Sequence, residues 1–126
     1  MRVVERKFPP ESRSAPQARN FVLALGWSDD PDVNRELATV VSEVVTNAIL
    51  HARTPFVVSV DAREDAIRVA VTDESSELPA PRRYGSAQPT GRGLHIVDAI
   101  ADRWGVAPAP RGKTVWFEFE GRKQRL

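Results

Sequence analysis

Three groups of residues have types and spacings that could do chemistry. The first is the run Ser42-Glu43-Val44-Val45-Thr46-Asn47-Ala48-Ile49-Leu50-His51-Ala52. Glu43, Asn47 and His51 are four apart, so on a helix they stack along one line. That line borders the apolar stripe of Leu37, Val40, Val41, Val44, Val45 and Ala48, where a pocket can form between a helix and its neighbours. A carboxylate there can act as a general base. A carboxamide oxygen one turn on can ligate Mg²⁺, a hard cation that takes oxygen donors. Taken alone, the spacing more often describes a solvated helix edge.

The second group is Val69-Ala70-Val71-Thr72-Asp73, an apolar strand ending in a carboxylate that could accept a hydrogen bond from an exocyclic amine such as adenine N6. Its plain alternative is a turn, since Asp commonly follows strands. The third is Gly91-Arg92-Gly93-Leu94, which opens a helix after a long loop. Glycines let backbone N–H groups approach phosphate oxygens, and the positive end of a helix favours the anion. It is not a dinucleotide-binding fingerprint, because no strand precedes it and the third glycine is missing. Gly112-Lys113-Thr114 resembles the end of a P-loop, but position 107 is Ala and a strand-like run follows, so that reading is rejected.

The elements that must position these residues follow from apolar period and punctuation. Residues 2–8 read as a strand stopped by Pro9-Pro10. Ser14 could cap a helix over residues 15–25, ended by Gly26. Asp29-Asp30-Pro31-Asp32 signals the start of a long helix over about residues 33–52. Residues 56–61 and 66–72 read as two strands joined by a charged turn. Residues 75–90 form a loop of unusual length, with few apolar anchors beyond Leu78 and Tyr84, and are expected to be mobile without nucleotide. A helix from Gly91 to Trp104 is stopped by Gly105, and residues 106–107 and 113–120 are the last strands. This order predicts an α+β domain: a two-layer sandwich of a mostly antiparallel or mixed sheet with three helices on one face.

The totals suit one domain spanning residues 1–126. The chain has 126 residues, 41% hydrophobic and 28% charged, the balance of a globular protein. The absence of cysteine excludes a disulfide framework, a thiolate metal site and a cysteine nucleophile. Neither a membrane span nor a signal peptide is visible, so the expected compartment is the cytoplasm. A net charge of +1 gives no field that would suggest direct nucleic-acid binding.

Together, in this order, the three groups resemble the motifs of the GHKL ATPases. Glu43 and Asn47 are similar to the N box, Asp73 to the start of the G1 box, and the loop ending in Gly91-Arg92-Gly93-Leu94 to the ATP lid and G2 box. The short, single-domain branch, the bacterial anti-sigma-factor serine kinases, is the best match. Its look continues through His95-Ile96-Val97, Asp102-Arg103-Trp104-Gly105 and Gly112-Lys113-Thr114-Val115-Trp116. The resemblance implies the GHKL ATP-binding fold, with ATP and Mg²⁺ as cofactors. Glu43 would be the catalytic base and Asn47 the Mg²⁺ ligand. Asp73 would recognise adenine, while Gly91, Arg92, Gly93 and Leu94 would lie along the phosphates. The implied partners are a sigma factor, which is sequestered, and an anti-anti-sigma protein of STAS type, whose serine is phosphorylated; family members are commonly homodimers. This chain departs from the pattern in two places. Asp73-Glu74-Ser75-Ser76-Glu77 lacks both G1 glycines, and Lys113 stands where the superfamily often has threonine. The alternative reading is a module that only sequesters partners and has a degenerate nucleotide site. The catalytic domain of a two-component histidine kinase is a third, disfavoured because the chain lacks a helical hairpin with a phospho-accepting histidine.

Overall fold

The structure, a computed structural model, describes residues 2–75 and 92–121. They form a five-stranded sheet with helices packed on one face. The strands are β1 (Arg2–Phe8), β2 (Phe56–Ala62), β3 (Ala66–Asp73), β4 (Arg103–Ala109) and β5 (Gly112–Glu120). Their spatial order is β1-β2-β3-β5-β4, and every pairing among the described residues is antiparallel. The helices are α1 (Ser14–Leu23), α2 (Pro31–Asn47) and α3 (Arg92–Ile100). The expected α+β sandwich is the observed one, and the sheet is antiparallel throughout rather than mixed. No helix among the described residues is long and apolar enough to cross a membrane. Residues 76–91, nearly all of the expected long loop, lie outside the described residues.

Strand alternation sends one set of side chains into the core. Phe8, Phe56, Val58, Val60, Ile67, Val69, Val71, Phe117 and Phe119 are buried under the helices. The helices answer with Ala18, Val22, Leu37, Val40, Val41, Val44, Val45, Leu94 and Val97. α2 packs against both α1 and α3 and touches β3. Its start follows local chemistry: the Asp30 carboxylate accepts from the Asp32 N–H at 2.9 Å, and Pro31 opens the first turn. Gly26, at φ 68°, lets the chain turn away just past α1.

Three local expectations need correction. Ser14 is a buried residue inside α1, and its hydroxyl donates to the Pro9 carbonyl at 2.7 Å instead of capping; the residue ahead of it, Arg13, makes no cap hydrogen bond. The long helix is α-helical only to Asn47; Ala48–Ala52 is a π-helical turn closed by Arg53 N–H to the Ala48 carbonyl at 3.1 Å. Arg53 takes the left-handed conformation, φ 59°, that ends it. The last helix stops at Ile100, and Trp104 and Gly105 belong to β4.

The face of the sheet away from the helices is a polar network. The Arg68 guanidinium lies 4.1 Å over the Trp116 ring. Glu118 receives Arg68 at 2.9 Å and Arg103 at 3.0 Å, and Arg103 also pairs with Glu120. Burial alone would raise the Glu118 carboxyl, but the hydrogen bonds and charges of Arg68 and Arg103 outweigh it and hold it below the ordinary carboxylate value. Gly105 lies opposite Trp116, and a Cβ there would meet the indole at 2.9 Å, so glycine gives the ring its seat. The Trp104 indole N–H donates to Asp98 at 2.8 Å and ties α3 to β4.

Candidate functional site

The register of four strand pairs sets one row across the end of the sheet: Phe8, Phe56, Asp73, Lys113 and Pro108. Phe8 and Phe56 stack with centroids 5.6 Å apart and give this end an apolar floor. Asp73 and Lys113 are directly opposite on the helix-facing side and form an ion pair at 2.8 Å. Both are buried, Asp73 at 4% and Lys113 at 8% exposure, which makes them the two buried charged residues among those described. The other Asp73 oxygen accepts the Ser75 N–H at 2.9 Å. The turn reading of Asp73 holds locally, because its carboxylate accepts from the backbone two residues on; the same carboxylate is buried at the end of β3.

The π-helical turn after α2 touches β3, which brings the end of the long helix to the strand that carries Asp73. Ser42 accepts from Arg19 of α1 at 3.0 Å, so that side of α2 faces α1. Glu43 and Asn47 lie about 100° and 140° further round the helix, on the edge away from α1. Both are half-buried, and among the described residues neither side chain has a hydrogen-bond or ion-pair partner. His51 does not continue their line. The wider π turn falls out of step with the preceding α spacing, and His51 is exposed.

The expected phosphate-binding residues are placed in part. Arg92 and Gly93 are the first two residues of α3, and Leu94 is buried in the core, which fixes the start of that helix on the sheet. Gly91 lies outside the described residues. The backbone N–H groups of a helix start suit an anion. Among the described residues no cluster of three acidic or histidine side chains could hold a metal alone. A Mg²⁺ ion here would take the Asn47 carboxamide oxygen together with phosphate and water oxygens, the mode in which this ion is usually bound.

Sequence reasoning missed two features. Lys113 was legible only as a departure from threonine, yet it supplies the counter-charge of Asp73. Gly112 is a packing requirement: a Cβ there would stand 2.0 Å from the Asp73 carbonyl oxygen. That contact is with backbone, which cannot swing aside. Gly112→Ala is therefore expected to cost about 1–3 kcal/mol or more and to lower the thermal midpoint by several degrees. Thermal unfolding followed by circular dichroism checks this; an unchanged midpoint would mean that the end of β3 yields freely.

The described residues thus define a two-layer α+β domain with a buried carboxylate at one end of its sheet and a polar edge along its long helix. The chain matches the histidine kinase-like ATPase domain family over residues 8–119, and it belongs to that family. Domains of this GHKL type bind ATP and usually Mg²⁺. No curated protein matched the chain in a comparison with known sequences.

Proposed function

We propose that this domain binds Mg-ATP and acts as a regulatory serine kinase. In this reading it phosphorylates a serine on a STAS-type anti-anti-sigma protein and sequesters a sigma factor when that protein is not bound. One observation supports the reading most: the helix that carries Glu43 and Asn47 ends against the strand that ends in Asp73. In this reading Glu43 is the base, Asn47 the metal ligand and Asp73 the adenine acceptor. Catalysis of that transfer is largely positioning and electrostatics. Sequestration and homodimer formation would use outer surface.

Calorimetry with Mg-ATP on the purified protein is the test. Saturable binding of one nucleotide per chain is expected. A second reading, a partner-sequestering module with a degenerate nucleotide site, is favoured by one feature: the Asp73 carboxylate already has a counter-ion in Lys113. No heat with Mg-ATP, combined with retained binding of a sigma factor, would establish the second reading and overturn the first.

A further inference from the structure

Lys113 is an unusual residue to find inside a small domain. Burying an ammonium is costly unless its charge and its N–H donors are met. Among the described residues its one polar partner is Asp73, at 2.8 Å. An ammonium carries three donors and no acceptor. At least two N–H groups therefore remain for something that is not part of the described chain. The carboxylate beside it accepts from Ser75 on one oxygen and faces Lys113 with the other, and each oxygen has a second lone pair to offer. An acceptor and a donor thus sit side by side at the end of the sheet, next to the Phe8–Phe56 floor.

This pattern is the complement of the pairing edge of adenine, where an amine donor at C6 stands next to the ring acceptor N1. We propose that Lys113 donates a hydrogen bond to N1 of the adenine whose 6-amine is accepted by Asp73. The inference rests on the nucleotide-binding reading above and adds to it a second base-reading residue. Lys113 then has two roles at one place: it supplies the counter-charge of Asp73 in a buried site, and it contributes the donor that a base lacking N1 cannot use.

The experiment pairs two ligands with two proteins. Calorimetry with Mg-ATP and with Mg-1-deaza-ATP, in which a C–H replaces N1, is run on the wild type and on Lys113→Met. Wild type is expected to bind the 1-deaza nucleotide about 10-fold or more weakly, the loss that follows when a charged donor has no acceptor. Lys113→Met is expected to bind ATP more weakly and to make no distinction between the two nucleotides. Lys113→Arg, which keeps charge and donors, is expected to restore the distinction. A merely structural lysine would weaken both ligands alike and leave their ratio unchanged. Equal affinity of the wild type for both nucleotides would overturn the proposal while leaving the nucleotide-binding reading intact. No binding of ATP by the wild type would overturn both. The wild-type comparison decides the matter even if Lys113→Met does not fold.

Discussion

Asp73→Asn is expected to damage stability and nucleotide affinity together. The carboxylate accepts from Ser75 N–H and faces the Lys113 ammonium on separate oxygens. An amide has one acceptor oxygen and one donor NH₂. Whichever way it is turned, one of the two neighbours loses its acceptor and meets a donor. In either orientation the amide is neutral, so the buried ammonium is left without a counter-charge. Removing one partner of a buried ion pair typically costs about 3–5 kcal/mol. For a domain of this size that lowers the thermal midpoint by about 10 °C or more. ATP affinity is expected to fall roughly 10- to 100-fold, because a charge-assisted hydrogen bond to the amine is lost and a second donor opposes it. Differential scanning calorimetry and titration with Mg-ATP give the two readouts. Full affinity in a folded variant would remove Asp73 from the site. An unchanged midpoint would mean that the pair with Lys113 contributes nothing to folding.

Glu43→Ala is expected to separate chemistry from binding. Glu43 is half-buried on the edge of α2, one turn before Asn47, and has no ion pair among the described residues. Its loss should therefore move the thermal midpoint by little. If its carboxylate accepts the proton of an incoming serine hydroxyl, it must come within about 2.6–3.2 Å of it in the complex. General-base catalysis contributes about 10²–10⁴-fold, so phosphate transfer should fall by at least that lower bound. ATP affinity and partner binding should change little. The assay is transfer of radiolabel from ATP to a candidate anti-anti-sigma protein by variant and wild type. Equal labelling would refute the base assignment. A slow residual rate is expected, because the metal and the helix start would still hold the phosphates.

Local chemistry made much of the fold legible. Pro9-Pro10 stops β1 after Phe8, Asp30 and Pro31 start α2, and Gly26 turns the chain after α1, each for a reason contained in neighbouring residues. The edge that carries Glu43 and Asn47 was equally plain, because helix period alone defines it. What stayed hidden depends on distant partners. Leu94, Ile96, Val97, Ile100, Ala101 and Trp104 read as one helical run, yet Trp104 pairs with Phe117 in the sheet, and that tertiary pairing overrides the local period. The π turn after Asn47 had no spacing signal, and it moves His51 off the expected line. Lys113 was hidden for the same reason as Trp104. Its partner is forty positions earlier, and only the register of β3 against β5 reveals that the two charges meet. The family pattern located Asp73 but offered no role for a lysine beside it.

The order of the strands also determines how the domain comes into being during synthesis. β5 is the last described strand to be made, yet it lies between β3 and β4. While the nascent chain ends before residue 112, β3 is an open sheet edge, with Ile67, Val69 and Val71 waiting for Phe119, Phe117 and Val115. Bare edges of this kind invite pairing with other chains. Contacts between segments so far apart in the chain also form slowly. The same late strand carries Lys113, so the closing of the sheet and the neutralising of Asp73 are a single event. An interrupted chain is therefore left both with an unprotected edge and with a carboxylate it cannot bury, and its failure to mature is visible to proteases from the start.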